Sequence, residues 1–285
     1  MKNYCDLHTH SDRSDGKSTP AQLIEEAVAL GLSAIALTDH NTVDGLPEFL
    51  AAAEGKDILA IPGVEFSTDY DGTELHLLGL FIYPAQFPTI QLVTRDYLRR
   101  KDESNRELVA ALNAAGYELD YEKILEKSPN RNINRSQIAD AMVEKGYVKT
   151  KDNAFAEQLD KNKGFYREPT RPTIWEILDV LTAIGAVPVL AHPFLNLDEK
   201  QLRVFLPMAK ERGLRGMEVA YSTYDEATAA TAARLAEEFG LLPSGGSDYH
   251  GANKVGIYMG TGRGNLQVPA EWADDLKAYR NNATS

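Results

Sequence analysis

The chain contains little sulfur and no long apolar run. A single cysteine, Cys5, excludes an internal disulfide bond and agrees with a reducing compartment. No run of about 18 apolar residues is present, which excludes a membrane-spanning helix. The first residues, MKNYCDLHTH, lack the apolar core of a signal peptide, so we expect a cytoplasmic protein.

Positive charge is also in short supply. The 285 residues include 30 lysines and arginines against 42 aspartates and glutamates, for a net charge of −12. A protein that binds duplex nucleic acid normally presents a basic face, because contacts to phosphates supply much of its affinity. We therefore expect no stable duplex binding and no membrane partner. A small anionic substrate, held by local positive charge or bound metal, remains compatible with this composition.

Strand-like and helical segments alternate in the first and last thirds of the chain. Amphipathic helices separate most of the strands, which predicts parallel pairing with right-handed crossovers in a barrel or a doubly wound sheet. Two helix starts carry capping boxes, Thr19 with Gln22 and Thr173 with Glu176. Buried strands are predicted at 4–10, 33–40, 57–66, 74–82, 186–192, 214–220 and 241–248.

The middle of the chain follows a different pattern. From about residue 89 to 160 the spacing of apolar residues indicates helices only, and the loop KNKGFYREPTRP closes this section. We interpret residues 96–170 as a helical insertion that caps the substrate. The two parts of the barrel domain are then 1–95 and 171–285.

The few histidines are concentrated where strands end. All six lie in or beside the end of a predicted strand, and three carboxylates accompany them. Because the carboxyl ends of parallel strands meet at one face of such a fold, we expect these side chains to form a cluster. The set comprises His8, His10, Asp15, His40, Glu65, His76, His192, Asp248 and His250.

The chemistry of this set predicts a metal centre. Residues two apart in a strand point the same way, so Asp6, His8 and His10 share one face, whereas Cys5 faces away as a buried, inert thiol. Nitrogen and oxygen ligands without a thiolate suit manganese, iron or zinc, and nine ligands are too many for one ion. We expect two to three divalent metal ions. Asp6 or Asp39 is expected to orient a ligating imidazole from behind.

Five motifs carry a resemblance to a known family. The stretches DLHTHSDRSDG, LTDHNTVDG, GVEFS, AHP and GSDYH resemble the polymerase and histidinol phosphatase (PHP) superfamily, over nearly the whole chain. The resemblance implies a distorted (β/α)7 barrel with a trinuclear metal centre. By the same resemblance, the first metal is held by His8, His10, Glu65 and Asp248, the second by Glu65, His76 and His192, and the third by Asp15, His40 and His250.

The helical insertion is expected to choose the substrate. Arg135 lies in the first turn of a predicted helix, where a guanidinium and free backbone N–H groups can meet a phosphate together. Its stretch RSQIAD and the later GFY loop are similar to the insertion of nucleoside 3′,5′-bisphosphate phosphatases, which grips substrate phosphate. Tyr166 and Lys254 are further candidate substrate contacts. Arg131, Lys161, Lys163 and Arg167 are weaker ones.

The leading prediction is a cytoplasmic, metal-dependent phosphoesterase that hydrolyses a nucleoside 3′,5′-bisphosphate or monophosphate through water activated by the metals. His192, His250 and Asp248 are the candidate catalytic residues. Because they would also be ligands, a water held by the metals is an equally good proton donor for the leaving group.

Four other functions remain open at this point, two of them disfavoured. An exonuclease acting 5′ to 3′ on short oligonucleotides, or a histidinol-phosphate phosphatase, would use the same centre. An amidohydrolase is disfavoured because Glu65, not a carbamylated lysine, occupies the bridging position, and a non-catalytic module is disfavoured by the full ligand set.

Overall fold

The computed structural model describes residues 3–128 and 133–283, and its centre is a single mixed sheet. The sheet curls into a nearly closed barrel with the strand order β7-β6-β5-β4-β3-β2-β1-β8. Its strands are β1 (Tyr4–Thr9), β2 (Ala34–Leu37), β3 (Leu59–Tyr70), β4 (Thr73–Leu80), β5 (Val187–Leu190), β6 (Gly216–Tyr221), β7 (Leu242–Gly246) and β8 (Val268–Pro269).

Four of the seven strand pairs are parallel, as expected, whereas β4 and β8 pair antiparallel with their neighbours. β8 pairs with β1, and β4 pairs with both β3 and β5, so the expectation of parallel pairing is wrong for β4. The reason is the link between β3 and β4, which contains no helix: Tyr70 pairs with Thr73, and Asp71 and Gly72 make the turn. Both turn residues have positive φ, at 49° and 81°, as a tight hairpin requires.

The reversal of β4 matters for the position of the histidine that it carries. Because β4 runs against its neighbours, its first residues lie at the end of the barrel where the parallel strands finish. His76, opposite Ser67 of β3, therefore reaches that end from the early part of its strand. On the other side, Thr9 bridges to Tyr249 and brings β1 next to the segment after β7. The distorted barrel of the sequence prediction is confirmed.

Ten helices surround or extend the barrel in the described part of the chain, and both predicted capping boxes are present. The last helix was not anticipated from the sequence. The helices are α1 (Pro20–Leu30), α2 (Leu46–Ala53), α3 (Phe87–Ala114), α4 (Tyr121–Glu126), α5 (Arg135–Glu144), α6 (Lys151–Ala154), α7 (Ile174–Ala183), α8 (Glu199–Glu211), α9 (Glu226–Phe239) and α10 (Ala270–Ala283).

The consecutive helices α3 to α6 have an apolar core of their own. Leu108, Leu112, Ile138 and Met142 are fully buried in it, separately from the two apolar clusters that line the barrel strands. Cys5 is buried in one of those barrel clusters, and burial raises the pKa of its thiol far above the usual range. Among the described residues, no helix has the length and apolar character needed to cross a bilayer.

Candidate metal centre

The candidate ligands meet at the end of the barrel where the parallel strands finish. Two backbone hydrogen bonds of 2.9 Å fix the end of β1 against the segment after β7 there, from His10 N to Tyr249 O and from Asp248 N to His8 O. β1 and the loop after it supply His8, His10 and Asp15; β3 and β4 supply Glu65 and His76; the segments after β2, β5 and β7 supply His40, His192, Asp248 and His250.

Glu65 lies at the middle of this cluster and is fully buried. One carboxylate oxygen, Oε1, is 2.8 Å from His76 Nδ1 and 3.1 Å from His192 Nε2. The other oxygen, Oε2, is 3.0 Å from His40 Nδ1 and 3.3 Å from His10 Nε2. A carboxylate whose two oxygens contact different imidazoles has the arrangement of a bridging ligand.

Asp248 and Asp15 complete the cluster on the other side of His10. Asp248 Oδ1 is 3.2 Å from His10 Nε2 and 3.3 Å from His250 Nδ1, and Asp15 Oδ1 is 3.1 Å from His250 Nε2. His8 Nε2 is 3.1 Å from His10 Nε2. The groups whose potential ligand atoms lie within 4.8 Å of one another are His10, Asp15, His40 and His250; His8, His10 and Glu65; and His40, Glu65 and His76.

The protonation states of the cluster suit cations. Burial alone would raise the pKa of the Glu65 carboxyl, but the surrounding imidazoles, with His40 first, hold that pKa well below its usual range. Burial lowers the pKa of His10 to about 4, with His250 and His40 adding to the effect. Burial opposes the charge on His76 too, yet Glu65 raises its pKa to about 10, so this ring carries a proton beside the carboxylate that a metal ion would have to displace. Ionised carboxylates and neutral imidazole are the forms that bind metals.

Unsatisfied polar atoms test whether metal ions fit here. Within the described part of the chain, His10 Nδ1, His40 Nδ1 and Glu65 Oε2 are buried and have no hydrogen-bond partner, since the 3.0 Å contact between the last two does not have hydrogen-bond geometry. A buried polar group without a partner is costly, and several of them around one carboxylate are the arrangement that a bound cation would satisfy. The donor set, histidine and carboxylate without thiolate, fits a divalent metal. The site therefore fits metal binding.

A cavity of about 210 Å³ opens above one side of the cluster. We call it the cap cavity, because helices α3 and α5 and the segment before α7 form its outer wall. It reaches three of the candidate ligands, Asp15, His40 and His76. Its remaining lining residues are Ser67, Glu74, Tyr97, Lys101, Asn105, Asn134, Arg135, Ser136, Phe155, Tyr166 and Arg171.

Arg135 lines the cap cavity, and several contacts hold its guanidinium in place. It is the first residue of α5, and its guanidinium lies 4.2 Å from the centre of the Tyr166 ring and 5.6 Å from that of Phe155. One of its nitrogens, Nη1, donates to Leu159 O at 2.9 Å. Since a guanidinium has five donors, others remain for a ligand in the cavity. The sequence-predicted contacts Arg135 and Tyr166 thus lie together beside the cluster.

The cap cavity is also lined by two cations that the sequence analysis did not identify. Lys101, from α3, donates to Asn134 Oδ1, and Arg171 Nη2 pairs with Glu74 Oε2 at 2.8 Å. Over the described residues, Arg171 Nε and Asn134 Nδ2 are buried donors without an acceptor. Three cations and two unsatisfied donors around one cavity make it suited to an anion.

Comparison with known proteins identifies the family. A family model described as PHP domain matches residues 6–166. A 5′-3′ exoribonuclease of Haemophilus influenzae is 30% identical over 246 residues, which cover 86% of this chain and 89% of the relative. The chain belongs to the PHP family. A 3′,5′-nucleoside bisphosphate phosphatase of Chromobacterium violaceum is also similar to it, at 30% identity over 257 residues and 90% of both chains.

The fold and class of this PHP protein agree with a solved structure as well. A Bifidobacterium adolescentis protein named as a metal-dependent phosphoesterase superimposes with a TM-score of 0.85 at 26% identity, covering 96% of each chain. The PHP chain is accordingly a hydrolase of the metal-dependent phosphoesterase class. The predicted enzyme class is confirmed.

The remaining predicted contacts of this PHP chain have other surroundings. Lys254 does not line the cap cavity: its amine is 2.5 Å from Asp248 Oδ2, and it lines a different cavity. Lys161 pairs with Glu168 at 3.6 Å and, like Lys163 and Arg167, is exposed and absent from the cap cavity lining. Arg131 lies outside the described residues.

Glu218, in β6, holds two candidate ligands and was missed by the sequence reasoning. It is fully buried; its Oε1 is 2.9 Å from His8 Nδ1, and its Oε2 accepts from His192 N at 2.6 Å. His192 has φ of 28°, an uncommon conformation that this hydrogen bond supports. A carboxylate behind a ligating imidazole fixes the ring and its tautomer. The available signal was an acidic residue within the apolar strand GMEVAY.

The carboxylates that were expected to orient imidazoles act on loops instead. Asp39 accepts from Ser11 N at 2.8 Å and from the hydroxyls of Ser11 and Ser14, both at 2.6 Å. Asp6 accepts from Ser247 N at 2.9 Å and from Gly260 N at 2.7 Å. Both carboxylates therefore tie down the loops that carry ligands, and the expected contact to a ring is wrong.

Proposed function

We propose that this PHP phosphoesterase hydrolyses a small phosphorylated nucleotide, either a nucleoside 3′,5′-bisphosphate or a nucleoside monophosphate. One observation carries the proposal: Lys101, Arg135 and Arg171 line the same cavity as Asp15, His40 and His76. A substrate with two phosphates can then present one to the cluster and the other to the cations. The similar phosphatase of Chromobacterium violaceum, which is named for such a substrate, supports this choice.

The centre is proposed to hold two to three ions of manganese, iron or zinc, carried by all nine candidate ligands. His8, His10, Glu65 and Asp248 would hold one ion. Glu65 would join His76 and His192 on a second, and Asp15, His40 and His250 would hold a third. When bound, such ions supply a nucleophilic water near neutral pH and neutralise phosphate oxygens.

The side chains of the centre keep the reacting groups in place. Tyr221 donates to Asp248 Oδ2 at 2.7 Å, and Lys254 contacts the same oxygen, so Oδ1 is left directed at His10 and His250. His192, His250 and Asp248 are the proposed catalytic residues. His192 and His250 are 6% and 3% exposed, so the protein encloses both imidazoles.

The cations of the cap cavity are proposed to bind the phosphate that is not cleaved. Arg135 is braced by two aromatic rings and by one backbone carbonyl, so its free N–H groups are aimed before the substrate arrives. Arg171 Nε and Asn134 Nδ2 supply donors that lack an acceptor in the described part of the chain. Residues 96–170 are accordingly proposed as the substrate cap of the barrel formed by 1–95 and 171–285.

A phosphate-release screen tests this function. Manganese-loaded protein is assayed with nucleoside 3′,5′-bisphosphates, nucleoside monophosphates, histidinol phosphate and short oligonucleotides, with chelator-treated protein as the control. The expected result is release of phosphate from the nucleotides, most efficiently from the bisphosphates. Preference for histidinol phosphate, or no release from any nucleotide, would contradict the proposal.

A further inference from the structure

Lys151, the first residue of α6, forms a polar bridge between α5 and the barrel. Its side-chain amine contacts Ser136 Oγ at 3.0 Å and Asp140 Oδ2 at 2.8 Å, both on α5. It also donates to Asn253 Oδ1 at 3.1 Å, in the segment after β7. A lysine ammonium has three N–H groups, and these three acceptors can use all of them. Contacts to both the helix and the barrel therefore hold this side chain.

Asn253 extends the bridge to the candidate metal centre. Its amide oxygen accepts from Lys151, and its amide nitrogen donates to Asp15 O at 2.6 Å. Asp15 is a candidate ligand, and its carboxylate is 3.1 Å from His250 Nε2. Because both ends of the Asn253 amide have partners, turning the amide over would break both contacts. The bridge thus ends on the backbone of a residue that belongs to the cluster.

At its other end, the bridge reaches α5 beside Arg135. Ser136 directly follows Arg135, and both residues line the cap cavity. Ser136 and Asp140 are four residues apart, so they lie on one face of the helix, a turn from each other. Contacts at two successive turns fix the shift of α5 along its axis and its rotation about that axis. Arg135 is thereby held at a set distance from Asp15.

The apolar contacts of α5 do not fix this distance. The buried apolar residues of α5 are Ile138, Ala139 and Met142, and all three belong to the apolar core that α3 to α6 share. They are not part of the two apolar clusters that line the barrel strands. In the described part of the chain, the position of α5 relative to the barrel is therefore left to polar contacts, whose lengths and directions are narrowly defined.

We propose that Lys151 is a positioning residue that sets the distance between the two anion-binding sides of the cap cavity. The enzyme thereby selects bisphosphates by the separation of their two phosphates. This rests on the proposed function, because one phosphate lies at the cluster and the other at Arg135. A molecule whose phosphates are closer together or farther apart reaches both sides only if α5 shifts. That shift breaks the contacts of Lys151, so a misfit in length lowers affinity.

A series of hydrolysis-resistant ligands measures this selection. Alkane-α,ω-bisphosphonates of increasing chain length carry the same two charged groups at graded separations and contain no ester bond. Each is titrated into the metal-loaded full chain by isothermal titration calorimetry, and methylphosphonate serves as the ligand with a single anionic group. Wild-type protein should bind one chain length best, and binding should weaken for shorter and for longer ligands.

Lys151→Met should flatten this dependence on chain length. Methionine keeps an unbranched side chain but cannot make the three polar contacts, so α5 is free to adjust. Affinity for the best ligand should fall by about threefold to tenfold, the range of a lost, partly exposed charged contact, while affinity for methylphosphonate stays the same. The matched control is Lys149→Met, which removes an exposed lysine that does not line the cap cavity and should bind every ligand as wild type does.

Asn253→Ala tests the barrel end of the same bridge, and it provides the test if Lys151→Met does not fold. It should flatten the dependence on chain length to a similar extent. Because both side chains act through one bridge, the double variant should lose no more affinity than either single variant.

The outcomes separate the positioning role from the proposed function. A length optimum that flattens in Lys151→Met supports the role even if wild-type protein releases no phosphate from any nucleotide, in which case only the proposed function fails. The role is overturned if wild-type protein has no length optimum or if the variants keep the wild-type optimum. Equal loss of affinity for every bisphosphonate and for methylphosphonate also overturns it, since that is the result of general damage to the site.

Discussion

The end of the barrel and the outer wall of the cap cavity use different means to present charged groups. His8, His10 and Glu65 are completely buried, and they lie on or directly after strands that hydrogen bonds hold in register. Lys101 and Arg135 extend from helices on long, flexible stems, and other side chains brace their charged ends. The first region suits metal ions, which demand fixed ligand positions, and the second suits phosphates, which tolerate more freedom.

The two regions are also opposite in charge, and this makes them complementary. The cluster contains three carboxylates whose pKa values lie well below the usual range. Burial opposes this shift, but nearby positive charge outweighs it. The largest lowering effect comes from His40 on Glu65, from His250 on Asp15 and from Lys254 on Asp248. The cap cavity adds three cations within an acidic protein. Metal ions would neutralise the first region, and substrate phosphate the second. Variants in the two regions should therefore fail in different ways.

The largest loss is expected from Glu65→Gln. An amide is neutral and cannot replace a charged carboxylate that contacts imidazoles with both oxygens. Turnover should therefore fall by more than about 100-fold, which exceeds the loss that is usual when a residue behind a metal ligand is changed. Steady-state kinetics and elemental analysis measure turnover and metal content, while circular dichroism checks the fold. Glu54→Gln, at an exposed position after α2, is the matched control and should behave as wild type. Near-normal turnover in Glu65→Gln would remove this carboxylate from the centre.

Arg135→Ala should damage substrate binding without touching the metals. A bidentate, charge-assisted contact is worth roughly 2–3 kcal/mol, so kcat/KM for a bisphosphate should fall by about 30- to 150-fold. Activity on a generic phosphodiester without a second phosphate should fall much less, and metal content should stay constant. Arg95→Ala, on an exposed face of α3, is the control.

Equal losses on both substrates would place Arg135 on the phosphate that reacts. No loss on either would remove it from the binding site.

Glu218→Gln should lower the metal affinity of the centre, because Glu218 contacts the candidate ligand His8. The amide can still accept from His192 N, but it no longer offers a charged oxygen to His8 Nδ1, so metal affinity should fall by about 10- to 100-fold. Competition with a chromophoric chelator measures this affinity, and thermal unfolding of the metal-free protein separates it from a general loss of stability. Unchanged metal affinity with lowered thermal stability would reduce Glu218 to a purely structural residue.

The smallest effect concerns pH and the cap cavity. Burial lowers the pKa of Lys101 to about 8, with the nearby cations Arg135 and Arg171 contributing. The amine is therefore charged below that pH and neutral above it, so KM for a bisphosphate should rise by about threefold to tenfold between pH 7 and 9. Lys101→Arg, which stays charged, should flatten this rise. The same pH dependence in both proteins would assign it to another group.

The same contrast explains what the sequence could and could not predict. The ligand candidates were accessible because strand ends in a parallel barrel converge, and scarce histidines at those ends are visible in the sequence. The antiparallel direction of β4 was missed although the Asp71-Gly72 pair between two strand-like stretches is itself a hairpin signal, because the general βα alternation was applied to this link as well.

The residues that line the cap cavity were harder to predict from the sequence. Lys101 lies within the highly charged helix stretch YLRRKDESNRE, where nothing in the pattern distinguishes it from its exposed neighbours. Arg171 reaches the cap cavity only through the folding of a proline-containing loop, and Glu218 only through the pairing of distant strands. Arg135 was identified by resemblance and not by its spacing. Contacts of this kind depend on tertiary structure, which local periodicity does not encode.

The metal content of the wild-type protein tests the central claim most directly. Protein purified with manganese, iron and zinc supplied is desalted and analysed by inductively coupled plasma mass spectrometry, with protein concentration from amino-acid analysis. Nine candidate ligands, with Glu65 at their centre, predict two to three transition-metal ions per chain. One ion or none in the fully loaded protein would contradict a multinuclear centre at the end of the barrel.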